Sequence, residues 1–273
     1  MMSTITLQNG AFHGRDGFVL PAVGLGTYSL HGADCVRAVA QAVALGYRYI
    51  DTATFYGNEQ EVGRGVRSSG VPRSEIQVAT KLYPHEYAYA QTAIDECLRR
   101  LDLEYIDVLL LHHPAHNDAA AYRAIEQAVS AGKVRYAAIS CYYISEIERF
   151  LPQVRLWPAL VQNEVHPYYQ DTEVVSFLQN KGLIVQAWYP LGGRGYTHSL
   201  LADPVIREIA AQTGRTPAQI VLRWNVQHNV AVIPGSSSSE HLKQNLEVTE
   251  FELTAEQMQA IDQLERSEKH DWY

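Results

Sequence analysis

The chain has few of the residues that would commit it to a disulfide framework, a metal centre, a polyanion or a bilayer. Its three cysteines, Cys35, Cys97 and Cys141, are odd in number, widely spaced and free of any Cys-x-x-Cys pair. Neither a cross-linked scaffold nor a zinc site is indicated, and reduced thiols in a cytosol are expected. Basic residues are the minority: 22 Lys and Arg face 30 Asp and Glu, for a net charge of −8. With no basic stripe, nucleic acid and anionic membrane are excluded as expected partners, which leaves a small ligand. No apolar run approaches the roughly twenty residues that span a bilayer. The opening Met1-Met-Ser-Thr-Ile-Thr-Leu7 has no basic region followed by an apolar one, so an unexported, cytoplasmic protein is expected. Also missing is any Gly/Ser/Pro-rich linker, charge block or low-complexity tract. A hydrophobic content of 47% over 273 residues suits a substantial core, so one domain over residues 1–273 is expected.

What is present is a regular alternation. A hairpin from residues 5–7 and 18–20, turning at 14–17, precedes strand-like runs at 22–26, 47–51, 76–80, 105–111, 134–140, 160–163, 184–188 and 230–234. Helical spacing fills the gaps at 33–45, 86–101, 119–131, 144–151, 172–180 and 217–227, and Gly46, Gly132 and Gly182 supply stops. Two extra helices, at 204–212 and 255–265, fall outside the repeat and are placed on the exterior. Eight strand-helix units predict an α/β fold, a closed (β/α)8 TIM barrel.

On such a barrel, residues at the carboxyl ends of the strands converge on one cleft. Three successive strands end in Asp51, Lys81 and His112, and Tyr56 follows the first of these. A phenol with an unperturbed pKa of about 10 is a poor acid near neutrality, but an adjacent ammonium stabilises its phenolate. Lys81 could supply that charge, Asp51 could keep Lys81 protonated, and His112 could orient a carbonyl oxygen. These groups could protonate a developing alkoxide while a hydride arrives from a reduced cofactor, since no side chain carries one.

The motifs carrying these residues resemble those of the aldo-keto reductases over nearly the whole chain. They are Gly24-Leu-Gly-Thr27, Asp51-Thr-Ala-x-x-Tyr56-Gly-Asn-Glu59, Thr80-Lys81, Leu111-His112-His-Pro114, Gln162-Asn-Glu-x-His-Pro167, Pro190-Leu-Gly192 and Val232-Ile-Pro234. The resemblance implies an NAD(P)H-dependent aldehyde or ketone reductase, a monomer without a Gly-rich dinucleotide loop, with Asp51, Tyr56, Lys81 and His112 as catalytic tetrad and Tyr56 as proton donor. It implies that Trp188 stacks on the nicotinamide and that Ser140 and Gln162 bind its carboxamide. It also places Gly26, Thr27, Asp51, Leu191, Gly192, Ser236, Ser237, His241 and Asn245 against the cofactor. Cys141 stands where the family commonly has Asn, which implies looser nicotinamide anchoring, because a thiol is a weak hydrogen-bonding group. Gly235 and His241 replace the usual Lys and Arg that grip the 2′-phosphate. NADPH is therefore the expected cofactor with NADH as competitor, and Lys243 lies nearby. By the same likeness Tyr28, Phe55, Tyr83, His112, His113 and the terminal Asp271-Trp272-Tyr273 line the substrate pocket. His113, where Trp is frequent, implies small oxygenated aldehydes, dicarbonyls or keto-sugars over steroids.

Blander readings compete. The tetrad could be a structural ion-pair network, or the barrel a catalytically silent nicotinamide-binding regulator. His112, His113 and His116 could suggest a metal hydrolase, but Lys81 would repel a cation, so no metal is expected. His166 and Glu59 are expected to be structural. Cys35 and Cys97 fall on helical patterns as buried apolar groups, and the serines at 236–239 could form a mere turn.

Overall fold

The computed structural model describes residues 5–270. An N-terminal meander of β1 (Leu7–Gln8), β2 (Ala11–His13) and β3 (Val19–Pro21) precedes the repeat. Then follow β4 (Leu25–Gly26), α1 (Gly32–Leu45), β5 (Tyr49–Asp51), α2 (Glu59–Ser68), β6 (Gln77–Leu82), α3 (Ala90–Leu101), β7 (Ile106–Leu111) and α4 (Asp118–Ser130). The chain continues through β8 (Val134–Ser140), α5 (Ile144–Phe150), β9 (Leu160–Glu164), α6 (Thr172–Asn180) and β10 (Ile184–Trp188). It ends with α7 (Thr197–Leu201), α8 (Pro204–Thr213), α9 (Pro217–Gln227), β11 (Val230–Val232), α10 (Ser239–Leu246) and α11 (Ala255–Asp262). Strands β4 to β11 are hydrogen-bonded neighbours in sequence order, the arrangement expected of repeated strand-helix units.

The chain divides into two compact units: one of Gly24–Gln162 with Gly235–Leu242, the other of the chain up to Val23, Asn163–Pro234 and the chain from Lys243. In the first, the strands are buried on both faces, as covered parallel sheets are. β7 reads Ile-Asp-Val-Leu-Leu-Leu and is buried throughout. Its one charge, Asp107, accepts from Arg73 Nη2 at 2.6 Å, Arg135 Nη1 at 3.2 Å and the Val78 amide at 2.9 Å. A buried carboxylate survives only when paired in this way. Helix α2 fits through two glycines. A Cβ on Gly65 would lie 2.6 Å from Val39 Cβ, and one on Gly63 would lie 1.8 Å from the Leu101 carbonyl oxygen.

In the second unit the meander differs from the expected hairpin. Asn9-Gly10 makes a tight turn with φ of 50° and 74°, so β2 lies between β1 and β3 and pairs antiparallel with both. The Asn-Gly pair is a strong hairpin former, and it sets the first turn of the meander ahead of the glycines at 14–17. Val23 forms a parallel bridge to Val232, and the Val232 amide donates to the Ala22 carbonyl at 2.9 Å. Helix α11 docks through Trp224 Nε1, which donates to Asp262 Oδ1 at 2.7 Å.

Helices depart from the expected set as well. Periodicity assigns no helix to α2, α7 or α10, and residues 86–101, expected as one helix, begin within a 3₁₀ segment at 84–89 that precedes α3. Two interior glycines in α2 and a serine run at the start of α10 lower helix propensity, and packing overrides both.

Candidate active site

Strand register builds the site. Asp51 pairs with Ala79, two residues before Lys81; Lys81 pairs with Leu110, two before His112. Leu110 pairs with Ala138, two before Ser140, and Ser140 pairs with Gln162. Because side chains alternate with period two, Asp51, Lys81, His112, Ser140 and Gln162 all project from one face. The sheet curls enough for Gln162 Nε2 to donate to Asp51 Oδ2 at 2.9 Å.

Lys81 is the centre of this group. Fully buried, it places Nζ 2.5 Å from Asp51 Oδ1, 2.9 Å from the Thr52 carbonyl oxygen and 3.3 Å from the Tyr56 hydroxyl. Burial pulls its pKa below the ordinary lysine value, while the Asp51 carboxylate opposes that shift by charge and hydrogen bond. Tyr56 rides on the 3₁₀ turn Thr54–Tyr56, which Gly57 closes at φ 65°. The His112 imidazole is buried, and its pKa is held well below the usual value first by desolvation and then by Lys81 and His113. It is therefore neutral near pH 7, with one N–H donor. Its Nδ1 has no hydrogen-bond partner among the described residues.

Aromatic groups surround this centre. Tyr28 lies 5.0 Å from the Tyr56 ring, and Phe55 stacks on Tyr83 at 4.8 Å. Tyr83 meets His112 edge-on at 5.5 Å, and His112 stacks on His113 at 4.6 Å. The other four side chains expected at the substrate pocket thus lie beside Tyr56 or beside His112, the fifth. Residues 271–273, also expected there, lie outside the described residues.

The positions expected at the cofactor fall into two sets. In the unit with the tetrad, the buried Ser140 hydroxyl donates to the Gln162 carbonyl at 2.9 Å, and Cys141 Sγ lies 3.6 Å from the Ser140 Oγ. Thr27 is buried, its hydroxyl donating to the Asp51 carbonyl at 2.9 Å, and Gly26 pairs with Asp51 in the sheet. Gly235 approaches Gly26 closely: a Cβ there would lie 3.1 Å from the Gly26 carbonyl oxygen. The serine run is divided. Ser236 Oγ accepts from the Ser238 amide at 3.1 Å, Ser237 is exposed, Ser239 opens α10, and His241 is exposed on its first turn. In the other unit stand Trp188, Leu191, Gly192 and Asn245. Trp188 meets Tyr189 edge-on at 4.7 Å, and its Nε1 has no partner among the described residues. Gly192 adopts φ 85° in a turn that closes on the Tyr189 carbonyl.

Three positions that the sequence reading left aside support the site. Asn58, fully buried, donates to the Thr27 and Leu30 carbonyls at 2.9 and 2.8 Å and accepts from the Thr52 hydroxyl at 2.6 Å. Its signal was its place inside the quoted Tyr56-Gly-Asn-Glu59 string. Tyr87 OH donates to the His113 carbonyl at 2.6 Å, and Glu86 bonds both Thr54 and Tyr83. No local sequence pattern announces either. Glu59 braces the strand beside Lys81, accepting from Thr80 Oγ1 at 2.7 Å and from Arg100. His166 lies in the other unit, 2.9 Å from Glu164 Oε1, while the backbone N–H of His270 donates to the same oxygen at 2.7 Å. Its ring is stacked on that of His270 at 4.7 Å and 18°. Glu164 Oε1 thus ties both His166 and His270 to the end of β9.

The model of the Aldo/keto reductase family matches residues 22–266. This chain belongs to the aldo/keto reductase family. Morphine 6-dehydrogenase of Pseudomonas putida is 36% identical, with 92% of this chain and 90% of that protein covered. Glyoxal reductase of Bacillus subtilis is 32% identical, covering 98% and 95%. Among solved structures, MGS-M4, an aldo-keto reductase from a Medee basin deep-sea metagenome library, superposes with a TM-score of 0.91 at 32% identity over 95% of this chain and 96% of that one. The fold is the (β/α)8 barrel of the family, and this aldo-keto reductase is an oxidoreductase that reduces small carbonyl compounds with a nicotinamide cofactor. Among the described residues no helix is long and apolar enough to cross a membrane.

The residues present fit such a cofactor. Ser140 donates to the Gln162 backbone carbonyl and Gln162 Nε2 donates to Asp51, and a hydroxyl and an amide oxygen are acceptors of the type that carboxamide N–H groups need. The thiol of Cys141 is by its chemistry a weaker hydrogen-bonding group than either.

Proposed function

We propose that Tyr56 is the proton donor, that Lys81 and Asp51 tune it, and that neutral His112 orients the carbonyl. The observation that carries this is Lys81 Nζ placed between Asp51 Oδ1, at 2.5 Å, and the Tyr56 hydroxyl, at 3.3 Å. As Tyr56 gives up its proton, the ammonium stabilises the phenolate left behind, and Asp51 keeps the lysine charged against its burial. His112 donates a hydrogen bond to the carbonyl oxygen as negative charge develops there. Bound NAD(P)H supplies the hydride. Ser140 and Gln162 orient the nicotinamide, and Trp188 provides an aromatic face for it.

NADPH is the proposed preference, with NADH also used. The 2′-phosphate would meet the start of α10, Ser236, Ser237, His241 and Lys243 in place of a Lys and Arg pair. A relative from Saccharomyces cerevisiae, 33% identical, is named glycerol 2-dehydrogenase (NADP(+)). For substrate we propose small oxygenated aldehydes and dicarbonyls. The polar His113 supports this, as does the name of the Bacillus subtilis relative, glyoxal reductase. Buried, reduced thiols at Cys35, Cys97 and Cys141 support a reducing, cytoplasmic location, and a single-domain monomer is the proposed form.

The test is titration with NADPH and NADH, then turnover of a panel containing methylglyoxal and a bulky cyclic ketone. Tyr56→Phe is expected to lower kcat by roughly 10²–10⁴-fold, the usual contribution of a positioned general acid, while nucleotide affinity stays within twofold. Unchanged turnover in that variant removes Tyr56 as donor. A panel won by the bulky ketone overturns the substrate class alone.

A further inference from the structure

The turn that carries Tyr56 borders open space. A cavity of about 410 Å³ is lined by Thr54, Phe55, Gly57, Glu59 and Glu86 among others. Where a segment lacks close packing on one side, its polar tethers decide its position. Both ends of the segment are fixed. The Thr52 amide donates to the Ala79 carbonyl at 2.9 Å, and Asn58 is locked by its three bonds. Between them lies the residue that must approach a carbonyl oxygen.

One buried carboxylate oxygen reaches into that stretch. Glu86 Oε2 accepts from Thr54 Oγ1 at 2.5 Å and from the Tyr83 amide at 2.7 Å, and Glu86 is only 6% exposed. Thr54 opens the Tyr56 turn, while Tyr83 is two residues past Lys81, stacks on Phe55 and stands edge-on to His112. Capping of the 3₁₀ segment at 84–89 accounts for the Tyr83 bond. It accounts neither for the bond to Thr54 nor for the burial of a charge, which pushes the Glu86 carboxyl above its ordinary pKa against the pull of Thr54, His85 and Arg100.

We propose that Glu86 is a positioning residue for carbonyl reduction: its Oε2 fixes the separation between the Tyr56 turn and the Lys81–Tyr83 segment, and with it the approach of the phenol to the substrate oxygen. The inference rests on Tyr56 as proton donor. Misplacing a reacting group by about 1 Å can lower a rate on the order of 10²-fold, so one tether at the donor's own turn has leverage over the rate without touching substrate.

The experiment compares Glu86→Ala, Glu86→Gln, Thr54→Val and the Glu86→Ala/Thr54→Val double variant, with Tyr56→Phe as a separate control on the donor. Glu86→Ala is expected to lower kcat at least about tenfold, to leave the NADPH Kd within about twofold, and to enlarge the solvent deuterium isotope effect on kcat, because proton transfer becomes the slower step. Glu86→Gln should keep kcat within about threefold, since its amide oxygen still accepts both bonds. Thr54→Val should lower kcat severalfold, with no further loss when added to Glu86→Ala. If Glu86→Ala does not fold, Thr54→Val decides: kcat within twofold of wild type overturns the proposal. It is equally overturned by a kcat loss that tracks weaker NADPH binding with no change in isotope effect. Loss of turnover in Tyr56→Phe beside unaffected Glu86 and Thr54 variants removes this inference alone, whereas retained turnover in Tyr56→Phe removes the donor assignment beneath it.

Discussion

Cys141 adopts φ 64° directly after β8, in the left-handed region that asparagine enters more readily than most L-residues. The left-handed conformation carries a penalty of roughly 1–2 kcal/mol for an ordinary side chain. Cys141→Asn should relieve part of it and add an amide beside Ser140. The expected outcome is a higher Tm together with severalfold tighter NADPH and NADH binding, read by thermal melts and fluorescence titration. A lower Tm would show that the buried thiol packs better than an amide can. At the other end of the cofactor, His241 is exposed on the first turn of α10. His241→Arg should raise the ratio of NADPH to NADH affinity roughly tenfold, the value of one charge-assisted bond to phosphate, with Tm unchanged. An unchanged ratio would place the 2′-phosphate elsewhere. Gly235 is a poorer position to rebuild, because the Gly26 carbonyl leaves its Cβ little room.

Elements differ in how far their residues announce them. Strands β8 and β10 and helices α6 and α9 have the bounds that periodicity assigns, because their apolar spacing and turn residues agree with what packs against them. Helix α2 does not announce itself, since Gly63 and Gly65 are chosen for close approach to its neighbours and not for local propensity. The start of α6 gives a test at this scale. Asp171 sits there at φ 48°, and burial raises its carboxyl to about 6 despite Lys269. With a folded pKa above the unfolded value near 3.8, the folded state holds the proton more tightly. Its contribution to stability is therefore fully present below about pH 4 and lost as pH rises through about 6. Asp171→Asn keeps a residue tolerant of that backbone and removes the charge. It should raise Tm by roughly 2–4 °C at pH 7.5 and leave it unchanged at pH 4, as differential scanning calorimetry would read. A gain at both pH values would point to a cause other than ionisation.

At the scale of the whole molecule, the proposed single domain predicts one cooperative transition. Tryptophan fluorescence and far-UV circular dichroism should give coincident urea curves, and two separated midpoints would instead assign independent stability to the two compact units. The sequence by itself determined the alternation of strands and helices, because continuous apolar runs and period-3.6 spacing are written locally, and it singled out Asp51, Tyr56, Lys81 and His112 as candidates, because they lie in recognisable strings at strand ends. Tertiary structure decided the rest. Only the strand register shows that Ser140 and Gln162 share a face with Lys81, and only the curl of the sheet carries Gln162 to Asp51. The buried role of Asn58 depends on partners 6 to 31 residues away in sequence, and that of Glu86 on Thr54, 32 residues away. A polar residue in a loop looks solvated until the fold supplies the low-dielectric surroundings and the opposing donors that make its hydrogen bonds decisive.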